Sequence, residues 1–196
     1  MKVWVTADHH FGHANIIKHC NRPFATIAEH DEALIQNHNS FVATEDVVYH
    51  LGDFSFSNPR IVGQILDRLN GRFRCLNGNH DRFNRASWLR NHPKIEWIRD
   101  YYELKLYGRK FVMFHYPLSS WNGMRRGSIH LHGHCHGNHK YSFPLSMIHG
   151  RRIDIGVDVM DYHPVPLEPT IIALADDLER KEYPDEGTNY STRAVS

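Results

Sequence analysis

Two rhythms of hydrophobic and polar positions run along this chain. Residues 2–6 form a short β-branched and aromatic run that opens directly onto Asp8, which predicts a strand followed by a loop. Thr26 with Glu29 three residues later is a capping-box signature, and Ile27, Leu34, Ile35 and Phe41 follow at helical spacing. Residues 46–51 read as a buried strand ending at Gly52-Asp53. Asn58-Pro59 then supplies an N-cap and first helical position, with Ile61, Ile65, Leu66 and Leu69 facing inward and Asn70-Gly71 stopping the helix. Residues 73–76 predict a further strand, ending at Asn77-Gly78-Asn79-His80-Asp81.

This alternation of strand and helix argues for βαβ units. Beyond residue 100 the rhythm changes. Residues 101–106, Tyr107-Gly108 and residues 110–115 predict a hairpin. Residues 129–132 and 152–159 predict more strands, and 170–178 a helix. The later strands, which lack intervening helices, suit a second sheet. From residue 182 the chain is polar and holds Pro184 and Gly187, so residues 1–181 are expected to form one domain and 182–196 a flexible tail.

The chain has 196 residues and a net charge of +1 with neutral histidines, which suits one domain with ample core and argues against a bulk electrostatic binder of nucleic acid. A local basic patch stays open, because residues 60–110 carry twelve Lys/Arg against five Asp/Glu. No apolar run approaches the ~18 residues of a membrane span, and no signal-peptide h-region is evident at the start. Three cysteines, Cys20, Cys75 and Cys135, lack a metal-type pair spacing and suggest reduced thiols in a cytoplasm. Histidine is the unusual residue, at 17.

Five polar segments follow predicted strands: Asp8-His9-His10, Gly52-Asp53, Gly78-Asn79-His80-Asp81, His115 and Gly133-His134-Cys135-His136. Loops after the carboxyl ends of strands are where α/β sites assemble. Carboxylate, imidazole and amide-carbonyl donors suit Mn, Fe, Zn or Ni, and one Asp can bridge two cations held ~3.5–4 Å apart. In an extended segment, the alternate residues of Asp-x-His and His-x-His share a side. Taken singly, each segment reads more simply as a turn or a core histidine. All five in order at strand ends make the stronger signal.

That order resembles the calcineurin-like metallophosphoesterases. Segments 8–13, 21–24, 115–117 and 156–159 are further similar to a small single-domain bacterial and phage branch of that family. The resemblance implies a four-layer α/β/β/α sandwich of two mixed sheets with metals at one sheet edge. It implies one ion on Asp8, His10, Asp53 and His136, and a second on Asp53, Asn79, His115 and His134. Mn²⁺ is the expected metal, with Fe, Zn or Ni compatible. It further implies hydrolysis of phosphate esters by a metal-bridging hydroxide, with phosphodiesters favoured.

His80, outside the ligand set, is expected to give a proton to the leaving oxygen, with Asp81 orienting its imidazole or raising its pKa. His13, Arg22, Arg82, Arg125 and Arg126 are candidates for substrate contacts, guanidinium being suited to phosphate. Trp121 and Phe83 could stack a base, although core packing is the simpler assignment. His9 is expected to point away from His10, and Cys135 to be structural. Alternatives are a phosphomonoesterase, a nucleotide pyrophosphatase, a nuclease, or a catalytically silent binding module; the intact motif set disfavours the last. A homodimer fits a small enzyme of this kind, although no residue pattern requires one.

Overall fold

The computed structural model describes residues 1–81, 90–138 and 151–182. Arg82, Phe83 and most of the expected tail lie outside the described residues.

Among the described residues, nine strands form two mixed sheets. The first has the order β4-β3-β2-β1-β9, from β1 (Val3–Thr6), β2 (Val47–His50), β3 (Arg72–Leu76), β4 (Ile95–Arg99) and β9 (Val165–Pro166). β1 to β4 are parallel neighbours and β9 is antiparallel to β1. The second has the order β5-β6-β7-β8, from β5 (Tyr101–Leu106), β6 (Arg109–Phe114), β7 (Ile129–His132) and β8 (Arg152–Asp154). Here β5–β6 is the hairpin, and β6, β7 and β8 are parallel. Tyr107 and Gly108 both take positive φ, as a tight two-residue hairpin turn requires.

Helices α1 (Ala14–His19), α2 (Ile27–Phe41), α3 (Pro59–Arg68) and α4 (Ile172–Glu182) complete the described elements. Thr26 caps α2 by accepting from the Glu29 N–H, and Asn58 caps α3 by accepting from that of Ile61. Leu34 and Ile35 of α2 and Val62, Ile65 and Leu66 of α3 pack with Trp4, Val48 and Phe73 of the first sheet. Between the sheets, Val5, Val47, Tyr49 and Leu76 meet Phe111, Met113, Ile129, Leu131 and Ile153, with Leu167, Ile171 and Ala175 closing the layer. Burying this continuous apolar seam is the main force that holds the sheets face to face.

Some sequence expectations are corrected. Ile61 is 39% exposed, because starting α3 at Pro59 turns Val62 rather than Ile61 inward. Phe41 is 50% exposed at the end of α2, and the buried face carries His30 and His38 instead. The strand expected over 152–159 stops at Asp154, where the chain turns through Gly156 toward the first sheet. β4 and β9 were not anticipated from the hydrophobic pattern.

Candidate metal centre

Parallel pairing puts the carboxyl ends of β1, β2 and β3 along one edge, and those of β6, β7 and β8 along the facing edge. Main-chain bonds stitch the two edges together. The Asp8 and His10 N–H groups donate to Gly52 and Asp53 carbonyls, Gly133 donates to His115, and Val157 donates to Ala7 across the sheets. All five sequence segments meet there.

Backbone conformation corrects the extended-segment argument. Asp8, His10, Asp53, His134 and His136 all take positive φ, between 49° and 69°. Five of the seven candidate ligands are thus in the left-handed region, which costs a non-glycine residue ~1–3 kcal/mol. Their side chains converge because each link turns, not because a strand alternates. At Gly78 and Gly133, beside Asn79 and His134, glycine is a matter of space. A Cβ on Gly78 would overlap the Asp53 carboxylate, and one on Gly133 would lie 2.6 Å from Asp8 Oδ2.

Ligand atoms of Asp8, His10 and His136 lie within 4.8 Å of one another, and so do those of Asp53, His115 and His134. Asp53 Oδ2 sits between the two groups, 3.5 Å from Nε2 of both His10 and His115. Asn79 Oδ1 lies 3.0 Å from His115 Nε2 and 2.9 Å from His134 Nδ1. The His115 Nδ1–H donates to the Leu51 carbonyl at 2.8 Å, which leaves Nε2 with its lone pair toward the site. Asp8 Oδ1, Asp53 Oδ2 and both nitrogens of His10 are buried with no hydrogen-bond partner among the described residues. A buried polar atom left unpaired costs ~1–3 kcal/mol. Carboxylate oxygens and an imidazole lone pair, converging without donors, are a donor set suited to divalent cations.

Electrostatics divide the candidate ligands. Burial pulls His10 down to about 2, which keeps the imidazole neutral with a lone pair free. Burial pushes Asp8 up to about 7 against the pull of His136 and His115. Burial alone would lower His136, but its hydrogen bonds to Asp158 and Cys20 and the charges of Asp8 and Asp158 win and push it up to about 11. Cys20, His136 and Asp158 form a third close trio. Arg22 already occupies both oxygens of Asp158, which argues against a cation there.

His80 is exposed at the rim, its N–H donating to Asp53 Oδ1 at 2.9 Å. Its ring lies 5.5 Å from that of His10, 6.4 Å from His13 and 4.7 Å from Phe56. His13 stacks on Phe56 at 3.9 Å. Asp81 turns its carboxylate toward main-chain donors. Its carboxylate accepts from the N–H groups of Asp53, Phe54 and Gly78 at 2.7–2.8 Å, so it shapes the loops that carry Asp53 and Asn79.

Arg22 is corrected outright. Its side chain is fully buried and donates only within the protein, so it is no substrate contact. Arg125 and Arg126 lie exposed on a short 3-10 turn, Met124–Arg126. Trp121 is buried, its Nε1 donating to the Ser128 carbonyl, and it is core. Five cations of the basic stretch are paired: Arg68 with Glu32, Arg72 and Arg74 with Glu96, Arg109 with Asp176, and Lys110 with Glu103.

Surplus histidines have structural work. His9 Nδ1 lies 2.9 Å from His50 Nε2, with the His9 ring stacked on Phe11. The His130 Nδ1–H donates to the Val112 carbonyl while Nε2 accepts from the Leu118 N–H. Asp158 had no role assigned from sequence, because it fell inside the strand expected over 152–159.

Two mixed sheets thus present a His/Asp/Asn cluster where their strands end, a donor set suited to divalent cations. The chain matches the model of the calcineurin-like phosphoesterase family over residues 1–182. It belongs to that family and is a phosphoric ester hydrolase. It is 37% identical to the uncharacterized protein MJ1445 of Methanocaldococcus jannaschii, over 85% of this chain and 88% of that one. It is 29% identical to the gene 66 protein of Mycobacterium phage D29, over 90% and 97% of the two chains. The crystal structure of AQ665 from Aquifex aeolicus, a protein of unknown function, shares the fold at a TM-score of 0.65 and 22% identity, over 85% of this chain and 95% of that one. Among the described residues no helix is long and apolar enough to cross a membrane.

Proposed function

We propose that this phosphoesterase is a binuclear enzyme that prefers phosphodiesters, with Mn²⁺ as its working metal. The observation that carries the reading is Asp53 Oδ2, buried without a hydrogen-bond partner and 3.5 Å from an imidazole nitrogen on either side. One ion would be held by Asp8, His10, Asp53 and His136, the other by Asp53, Asn79, His115 and His134. Two such ions, when bound, lower the pKa of water and offset charge on the phosphoryl oxygens.

This chain's residues supply the rest. Asp53 Oδ1 holds the main chain of His80, so the imidazole stands at the mouth of the site to donate a proton to the leaving oxygen. Exposed Asn79 and His80 leave room for a second ester group. Phe56 and Tyr116 are 39% and 37% exposed beside His80 and His134, and favour a substrate with an aromatic group such as a nucleotide. His13 on its Phe56 platform, and Arg125 further out, are the proposed substrate contacts. Cys20 and Cys75, both free thiols, support a reducing, cytoplasmic setting.

The test is hydrolysis of bis-p-nitrophenyl phosphate by metal-stripped protein titrated with Mn²⁺. Activity should rise with metal, exceed that on p-nitrophenyl phosphate, and fall to background in Asp53→Asn. Faster monoester turnover would overturn the diester preference in favour of a phosphomonoesterase. Activity retained in Asp53→Asn would overturn the bridging role.

A further inference from the structure

Two segments that the phosphoesterase motifs leave unexplained, Asn21-Arg22-Pro23-Phe24 and Gly156-Val157-Asp158-Val159, meet behind the metal centre. Arg22 Nε donates to Asp158 Oδ1 at 2.8 Å and Nη2 to Oδ2 at 2.7 Å. Nη2 also donates to the Asp8 carbonyl at 2.7 Å. Nη1 donates to the His9 carbonyl at 2.9 Å and to His30 Nε2 at 2.7 Å. A guanidinium has five N–H donors, and all five are matched here. On the far side, Asp158 Oδ2 lies 2.6 Å from His136 Nδ1.

We infer that Arg22 and Asp158 are positioning residues, a buried brace that fixes the tautomer and orientation of His136 and locks it to the loop carrying Asp8. The inference rests on the metal-centre reading above. Because Asp158 holds the Nδ1–H, Nε2 of His136 is the nitrogen that gives up its proton to an ion. Because the same guanidinium grips the carbonyls of Asp8 and His9, the distance between two ligands far apart in sequence is set by one side chain. The brace continues outward. Arg22 can only donate to His30 Nε2, so His30 Nδ1 carries the hydrogen and donates to Asp31, 2.8 Å away. Asp31 in turn accepts from the Gly12 N–H at 3.0 Å. Helix α2 thereby anchors both ends of the loop from Asp8 to Gly12. Lysine at position 22 would bring three donors to five acceptors and could not grip Asp158 bidentately.

Mn²⁺ binding followed by the electron paramagnetic resonance of the free ion tests this, with wild type, Asp158→Asn and Arg22→Lys compared. Wild type is expected to take up two ions. Asp158→Asn should weaken one of them by about 10–100-fold and leave the other unchanged, and Arg22→Lys should do the same. Fewer than two ions in wild type would defeat the binuclear reading itself. Two ions in both proteins, with unchanged affinities in Asp158→Asn, would overturn the brace alone. If the variants do not fold, nitrogen-15 histidine spectra of the Zn²⁺-loaded wild type decide the matter. His136 should carry its proton on Nδ1, and a proton on Nε2 would overturn the proposal.

Discussion

At the residue scale, the proposed general acid, His80, stands beside the candidate ligands. His80 shares a loop with Asn79, yet its ring faces His10, His13 and Phe56 rather than the Asn79–His115–His134 group. A general acid contributes about 10²–10⁴-fold, and an alkoxide leaving group needs it more than a nitrophenolate does. His80→Ala should therefore cost about 10²-fold or more on an alkyl phosphodiester and under about tenfold on bis-p-nitrophenyl phosphate. Equal losses in the two kcat/KM values would reject the acid role. Gly78 tests the packing of the same loop, because a Cβ there collides with the Asp53 carboxylate. Gly78→Ala should lower Mn²⁺ affinity while leaving the fold intact by circular dichroism, and unchanged affinity would show that the carboxylate can shift without cost. The candidate ligands were legible in sequence because each is a polar residue directly after a strand. Arg22 was legible as a residue but not as a role. Nothing in a sequence tells a buried arginine with five internal acceptors from a surface arginine awaiting phosphate.

At the element scale, buried histidines stand where hydrophobic residues would be expected, and they tie stability to pH. His38 on α2 donates through Nε2 to the Asn70 carbonyl after α3, and burial lowers it to about 4. His130 on β7 is bonded at both nitrogens and burial lowers it to about 3. In each case the folded protein resists a proton that the unfolded chain accepts near 6.5. The stabilisation is complete above pH 6.5 and is lost as pH falls from there toward 4 and 3. For His38 the effect is on the order of 3 kcal/mol at most. Stability should thus fall steeply between pH 6.5 and 4. His38→Gln, whose amide can still reach Asn70, should flatten the slope by about 1.4 kcal/mol per pH unit in urea titrations. An unchanged slope would mean that His38 is not neutral in the fold. Elements with strong local codes, α2 with Thr26 and the Tyr107-Gly108 turn, were legible. β4 carries Glu96 and Arg99 and β9 has two residues, so neither has a hydrophobic alternation to read. Both exist because neighbouring strands offer them a ladder.

At the scale of the whole molecule, several destabilising features of the described residues gather along one edge. Five left-handed ligand residues and a group of buried, unpaired polar atoms lie along the edge where the two sheets are stitched together. The sandwich core supplies stability elsewhere, and the site draws on it, as is common where function requires strained backbone. Divalent ions bound there would satisfy the unpaired atoms of Asp8, His10 and Asp53 and cross-link loops from both sheets. Binding to the folded state alone stabilises by about 2.7 kcal/mol at a free-ion concentration 100-fold above the dissociation constant. A chain of this size shifts by about 2–4 °C per kcal/mol. Chelation with EDTA should therefore lower Tm by about 5–10 °C, and Mn²⁺ should restore it. In Asp53→Asn the metal-dependent part of that shift should shrink to near zero, because the shared carboxylate charge that both ions need is gone. Coincident melting curves with and without EDTA would show that the strained edge is held by the sheets alone, which would remove the energetic link between metal loading and the join of the two sheets.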